Sequence, residues 1–442
     1  MKLSKNSANP IQVKLVARNI VQHLGIWTSH QKILVCDDVS YIGGLDMTYG
    51  RFDTNEHPLF ATTSEFGSQW YNRVNPALNI ITEAQYNNSK GTLPRQPWHD
   101  IHCRLKGNIS FDITKHFLRR WNDNKPTKEE DDINALIRTS EGPADDADSE
   151  DKWTSQLFLS YEKGRLKSIH EEYLTAIGRA KEFIYIENQF LITDPDHWSD
   201  NKNSRNKVPK AIVDRLVACE QLKVVIVIPF VPESNGPLDE SFINKALLDI
   251  QCKIIQNMHS YKPLVEKYGV EGVKNKLVFV SLGKTEQSPH DGKWYSNMIY
   301  VHSKLMIVDD EYVIVGSANL NERSLDGDRD NEICVSMYNQ SEQIKKFRND
   351  LFVEHFGSEL AMLYDRDRSD FMVRLSERAM LNLYLFVQKS PLVGNVILHD
   401  KPHEMSVVEQ IKAFALRRHL YLVTSPEPIE DTRELIQMNI EK

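Results

Sequence analysis

The chain has 442 residues, 40% hydrophobic and 26% charged, with a formal net charge of −8. That length and balance fit two ordinary globular domains or one large bilobal one; they exclude a broadly basic nucleic-acid binder, and no apolar run approaches the roughly 18 to 20 residues that cross a bilayer. The five cysteines, at 36, 103, 219, 252 and 334, form no C-x-x-C pair, so buried thiols in a reducing compartment are expected, not a zinc site or a disulfide framework.

Gln12 to Val16 reads as a strand, and Lys14 and Arg18 within the early apolar stretch argue against a signal peptide. Residues 28–46, TSHQKILVCDDVSYIGGLD, come next. They place His30, Lys32 and Asp37 in the spacing H-x-K-x4-D. The apolar run Ile33 to Cys36, the acidic pair Asp37-Asp38, the run Val39 to Ile42 and the pair Gly43-Gly44 predict a β-hairpin. In a strand, residues two apart share a face, so His30 and Lys32 project together.

Residues 54–96, rich in Asn, Thr, Pro, Ser and Gly, read as loops. Residues 97–121 read as a strand and then a helix over Ile113 to Trp121 with Asp112 as its N-cap. Residues 122–155 are acidic and polar and read as a solvated linker; they lack the spacing of an EF-hand. Helices are expected near 168–181, 209–219 and 239–258, with strands at Phe183 to Glu187, Leu222 to Ile228 and Leu277 to Leu282. Beyond the strand Ile333 to Tyr338, helices are expected near 341–355 and 368–388. Alternating α and β elements with near-continuous apolar strands predict an α/β sandwich with helices on both faces.

Before that last strand comes a second copy of the motif. His302, Lys304 and Asp309 repeat H-x-K-x4-D, 272 residues after the first, inside YVHSKLMIVDDEYVIVGSANLNERSLDGDRDNE. The order apolar run, acidic turn, apolar run, glycine recurs, ending at Gly316, Ser317 and Asn319. Two such blocks imply two homologous halves meeting at one site. Six residues separate Asp309 from Gly316 and five separate Asp37 from Gly43, so the first turn is shorter or bulged, while His30 and Lys32 precede the change. An imidazole, an ammonium and an amide converging on one point suit a phosphate.

The paired blocks resemble the phospholipase D superfamily, and GGLDMTYGRFD (43–53), PWHDIHCRLKG (97–107), IYIENQFL (184–191) and GSANLNERSLDGDRDNE (316–332) resemble its eukaryotic, plant-like branch. The resemblance implies an α/β bilobal fold: two pseudo-symmetric α/β/α sandwich lobes with the active site between them. Only 29 residues precede His30, so the first lobe is expected to be truncated. The implied division is a first lobe over 1–121, an acidic linker over 122–155 and a second lobe over 156–442.

The resemblance also implies two-step displacement at a phosphodiester, with His30 as nucleophile and His302 as general acid/base; the symmetry of the residues alone leaves that order open. Lys32 and Lys304 would neutralise phosphate oxygens and Asn319 would donate an amide hydrogen bond, with Asp46 in the matching place of the first half. Asp37 and Asp309 complete the motifs and are expected to hold the turns without touching phosphorus. Asp53 and Glu332 are candidates to orient a histidine, with structural salt bridges as the equal alternative. His99 and His102 have no convincing metal spacing; His170, His197, His259 and His290 are expected at the surface. Trp294 and Tyr295 would line a lipid entrance or cap the core.

The implied activity is hydrolysis of a glycerophospholipid such as phosphatidylcholine to phosphatidic acid and the free head group, with transfer to small primary alcohols. The alternatives are another superfamily phosphodiesterase (a nuclease or a phosphatidyltransferase such as cardiolipin synthase) and an inactive lipid-binding homologue. No cofactor or metal is required by this chemistry; calcium at the membrane is implied only by the plant-like resemblance. The expected partners are a phospholipid surface, touched peripherally from the cytoplasm, and water or a small alcohol as acceptor, with no nucleic acid.

Overall fold

The computed structural model describes residues 28–48, 51–60, 94–123, 153–161, 166–200, 204–230, 242–339, 342–387 and 396–398. The expected strand at Gln12 to Val16, nearly all of the acidic linker and the C-terminal tail lie outside these residues.

The chain is mixed α/β, and its described residues build two sheets. The small one is antiparallel and joins β1 (Ile33–Cys36), β2 (Val39–Gly43) and β4 (His102–Lys106). The short β3 (Trp98–His99) leaves this group and pairs with the large sheet. Helix α1 (Asn108–Asp123) follows, beginning before the expected Asp112 cap, so Asp112 lies inside it.

The large sheet adds β5 (Thr154–Tyr161), β6 (Leu166–Lys167), β7 (Phe183–Asn188), β8 (Lys223–Val227), β9 (Leu277–Gln287), β10 (Trp294–Val301), β11 (Lys304–Val308), β12 (Tyr312–Gly316) and β13 (Glu332–Tyr338). Its order is β3-β10-β9-β8-β7-β11-β12-β13-β5-β6, with β14 (Val396–Leu398) beside β9. Strands β7, β8 and β9 run parallel at the centre.

Period-2 alternation explains why the central strands are apolar on both faces. Ile184, Val224, Ile226 and Phe279 enter one core with α2 (Ser168–Arg179), α3 (Val208–Ala218), α4 (Phe242–His259) and α5 (Lys262–Lys274). The intervening Phe183, Val225, Val227 and Val278 enter the other. Beyond the short α6 (Glu322–Leu325), the helices α7 (Gln343–Phe356), α8 (Ser358–Arg366) and α9 (Arg368–Val387) cover that second face. Each fully buried Val or Ile contributes about 1.5–3 kcal/mol relative to exposure, so a strand such as β8 tolerates no polar face. The small sheet packs across the end of the large one, where Ile42, Leu105 and Ile113 meet Ile333 and Val335.

The two hairpins differ only in the turn. Cys36 pairs with Val39 across Asp37-Asp38, while Val308 pairs with Tyr312 across Asp309, Asp310 and Glu311. The missing residue is absorbed there, and both turns begin with an aspartate at φ 53°, a left-handed conformation that Asp accepts more readily than most residues.

Two burial expectations change, for His170 and for the cysteines. His170 is buried, and its Nε2 accepts the Lys207 N–H at 3.0 Å where α3 begins. Of the cysteines only Cys252 and Cys334 are buried, and Cys36 is exposed. Trp294 and Tyr295 open β10 and are not among the residues lining the cleft described below.

Candidate functional site

The segment carrying the first motif runs parallel to the entry of β13. Ser29 bridges Asn331, and the His30 N–H donates to the Asn331 carbonyl at 3.0 Å. The second motif repeats this in β10 and β3. Val301 pairs in parallel with His99, and the His302 N–H donates to the His99 carbonyl at 2.7 Å. The residue after each of these carbonyls is a carboxylate facing the histidine. His30 Nδ1 lies 2.9 Å from Glu332 Oε1, and His302 Nδ1 lies 2.8 Å from Asp100 Oδ2. Each half thus supplies the carboxylate for the other half's histidine.

The glycines make this approach physically feasible. A Cβ on Gly43 would fall 2.3 Å from the Ile101 carbonyl oxygen, and one on Gly316 would fall 2.4 Å from that of Ile333. The next residues repeat the match: the Gly44 N–H donates to Ile101 and the Ser317 N–H to Ile333. Here the halves diverge. Ser317 Oγ donates to Glu332, and so does Ser324 Oγ at 2.7 Å. Opposite them, Gly44 has no side chain, and a Cβ there would fall 2.1 Å from Asp100 Oδ1. The shorter, hydroxyl-free Asp100 fits only because residue 44 is glycine.

His30, His302, Asp46, Arg51, Gln189 and Asn319 line one cleft of about 990 Å³. Lys32 Nζ donates to the His30 carbonyl at 2.8 Å and lies 3.2 Å from Asp46 Oδ1. Lys304 Nζ donates to the His302 carbonyl at 2.5 Å and to Gln189 Oε1 at 3.0 Å. Asn319 is buried, and its Oδ1 has no hydrogen-bond partner among the described residues.

Burial sets the charges. It pushes the Asp100 carboxyl up to about 7, against the pull of Lys304 and His99. Burial together with the nearby Lys304, Lys32 and His30 holds His302 well below the ordinary imidazole value. Burial also lowers Lys304 to about 8.

Other sequence candidates fall elsewhere. Asp309 is a turn brace: its carboxylate accepts the N–H groups of Lys181, Glu182 and Phe183 at 2.8–2.9 Å. Asp37 is exposed at the matching turn. Asp53 faces neither motif histidine. It accepts from Arg95 Nη1 at 3.0 Å and from the Trp98 N–H at 2.6 Å, and lies 3.3 Å from His57 Nδ1. The histidine-facing carboxylate of the first half is Asp100, which spacing hid. Glu332 follows Gly316 by 16 residues, whereas Asp100 follows Gly43 by 57. The signal that finds it is the carboxylate-Ile pair, Asp100-Ile101 against Glu332-Ile333.

The phospholipase D family model matches residues 11–410. Phospholipase D alpha 2 of Arabidopsis thaliana is 33% identical, over 77% of this chain and 50% of that protein. Phospholipase D alpha 1 of Vigna unguiculata is 33% identical, over 78% of this chain and 51% of that protein. The chain therefore spans about half the length of the curated relatives it matches. Among solved structures, phosphatidylserine synthase of Haemophilus influenzae Rd KW20 aligns with TM-score 0.41 and 13% identity, over 78% of this chain and 70% of that one. Nuc of Salmonella typhimurium aligns with TM-score 0.26 and 17% identity, over 45% and 91% respectively.

Proposed function

Since this chain belongs to the phospholipase D family, we propose that it is a phospholipase D, converting a glycerophospholipid such as phosphatidylcholine to phosphatidic acid and free choline through a phosphohistidine. The observation that carries this reading is the pair of histidines on one cleft, each with Nδ1 on a carboxylate and a lysine two residues on.

The two carboxylates support different roles. Ser317 and Ser324 already direct hydroxyl protons at Glu332, so Glu332 acts as an acceptor and takes the Nδ1–H of His30. Nε2 of His30 then keeps its lone pair and is the nucleophile. Among the described residues no hydroxyl donates to Asp100, and burial favours its protonated form. Donating that proton to Nδ1 leaves His302 with its hydrogen on Nε2, the tautomer of a general acid.

In the first step His30 Nε2 forms a bond to phosphorus while the choline oxygen departs with the Nε2 proton of His302. The Asp100 proton passes to Nδ1 as this happens. His302 Nε2 is then bare and accepts a proton from water, whose oxygen attacks phosphorus and expels His30. A small primary alcohol in place of water gives the phosphatidylalcohol. Lys32, Lys304 and Asn319 oppose the negative charge on the equatorial oxygens. Phe190, Ile192, Pro195, Leu247 and Ile250 also line the cleft, an apolar wall that favours acyl chains over a polynucleotide.

The test is purified protein with phosphatidylcholine vesicles, with and without a primary alcohol. Phosphatidic acid that gives way to phosphatidylalcohol is expected. Formation of neither lipid by a folded protein overturns the reading.

A further inference from the structure

Behind Asp100 lies a buried ionic cluster that the chemistry above leaves unused. It gathers Asp53 and His57 from the first half, His99 on β3, Tyr185 and Glu187 on β7, and Glu354 and His355 on α7. His99, Glu187 and His355 are each no more than 5% exposed. Two groupings, His57–His99–Glu354 and His99–Glu187–His355, bring ligand atoms within 4.8 Å of one another, as a metal site would.

The geometry of His99 argues against a metal. Its Nε2 lies 2.8 Å from Glu187 Oε2 and its Nδ1 lies 2.9 Å from Glu354 Oε1. A ring meeting a carboxylate at both nitrogens donates from both, so it is an imidazolium with no lone pair left for an ion. Both groupings run through this ring. The carboxylates are occupied as well: Glu187 Oε1 accepts from Tyr185 at 2.8 Å and faces His355 Nε2 at 3.1 Å, and Glu354 Oε1 faces His57 Nε2 at 3.1 Å.

We infer that His99 is a positioning residue for the His302–Asp100 pair: its imidazolium, clamped between Glu187 and Glu354, fixes the short strand that presents Asp100 and the carbonyl that receives the His302 N–H. This rests on the phosphodiesterase reading above. The strand needs such a clamp, because β3 has only two residues and meets the large sheet at one edge. The clamp is also a buried cation beside Asp100. Burial opposes charge on His99, yet Glu187 and Glu354 raise it well above the ordinary imidazole value. Together with Lys304 it holds the Asp100 carboxyl down against its own burial. Lys32 and Arg51 also act on His302 as nearby cations. Removing the His99 charge therefore raises the proton affinity of the His302–Asp100 pair, and removing the Glu354 charge lowers it.

The experiment labels histidine ring nitrogens with ¹⁵N in the full chain and follows His99 and His302 from about pH 5 to about pH 10. Wild type, His99→Gln and Glu354→Gln are compared. The expected result is a His99 ring protonated at neutral pH, with proton loss from the pair moving up by about one pH unit in His99→Gln and down in Glu354→Gln. Leaving-group release in the first turnover is measured with phosphatidylcholine and with a p-nitrophenyl phosphatidyl ester, whose leaving group departs unprotonated. His99→Gln should lose about 10- to 100-fold on the choline lipid and under about threefold on the activated ester. A neutral His99 ring at pH 7, an unmoved His302 titration in both variants, or equal losses on both substrates overturns the inference. If wild type turns over neither substrate, the functional reading fails while the ring titrations still decide the role of His99.

Discussion

His30 and His302 occupy the same place in two related halves, and their surroundings differ. The His30 side chain is 23% exposed, and its carboxylate partner is fed by two serine hydroxyls. The His302 side chain is 5% exposed, and its partner faces a bare glycine. Backbone geometry is kept by duplication, down to the N–H that each histidine gives to the carbonyl before its carboxylate. The electrostatic surroundings are not kept: burial and the nearby Lys304 and Lys32 hold His302 well below the ordinary imidazole value, and Glu332 accepts two serine hydroxyls where Asp100 faces Gly44. On the proposed mechanism, this difference lets a symmetric scaffold hold one proton acceptor and one proton donor at the same pH.

The largest effect that would break this comparison is at the histidines. His30→Ala and His302→Ala should each lower turnover of phosphatidylcholine by at least about 10⁴-fold. They should separate on the p-nitrophenyl ester: His302→Ala should release about one equivalent of nitrophenol in a burst, because the first step needs no acid there, and then stall without the base for water, whereas His30→Ala should release none. Equal bursts from both would mean the assigned roles are wrong.

The lysines extend the contrast. Lys32 is 10% exposed beside Asp46, while Lys304 is fully buried and pushed down to about 8. Lys304 is charged below that pH and neutral above it, so kcat/KM should fall as pH rises through about 8. Lys304→Arg keeps its charge throughout. If it folds, its alkaline decline should move to higher pH, whereas Lys32→Arg should leave the decline in place. Unchanged profiles in both variants would remove Lys304 as the source of that limb.

Much of this was legible in the residues. The repeated H-x-K-x4-D spacing locates both histidines and lysines, although His30 and Lys32 lie just before β1 and His302 just before β11, outside the paired hairpin strands that period 2 predicts for them. The one-residue difference between the halves correctly pointed to the turn. The carboxylates were only half legible. Glu332 sits close after its motif, but Asp100 is reached across some fifty intervening residues, and Asp53 offered a nearer acid in the linear sequence. Asp53 instead serves Arg95, a buried cation that demands an anion. The His99 cluster was illegible for a similar reason. Its members come from four distant segments, and each looks like an ordinary polar residue until β3, β7 and α7 bring them together.

Asp100 gives a thermodynamic version of the same test. Its carboxyl is raised from 3.8 to about 7 in the folded protein. Between those values the folded state binds more protons than the unfolded one, so this group's contribution to stability falls as pH rises and levels off above about 7. Asp100→Asn removes that slope. The stability of the variant relative to wild type, from urea unfolding, should therefore climb from about pH 4 to about pH 7 and then flatten. Glu187 and Glu354, held low by His99 despite burial, give the opposite slope, but it is common to both proteins and cancels in the difference. A constant difference across this range would mean that Asp100 is ionised throughout.

The smallest effect separates the two turns. Asp37 and Asp309 share a φ of 53°, so alanine at either would mix backbone strain with lost hydrogen bonds. Asparagine tolerates that conformation and leaves the acceptors as the only difference. Asp309→Asn gives up the charge and one of the two oxygens that serve the N–H groups of Lys181, Glu182 and Phe183, at a cost of about 1–3 kcal/mol. Asp37→Asn, at an exposed turn, should stay within about 0.5 kcal/mol of wild type. Both should keep wild-type turnover below the melting transition, since neither aspartate lines the cleft. If Asp37→Asn instead matches the loss at Asp309, the first turn is braced as the second is, and the two hairpins differ in length alone.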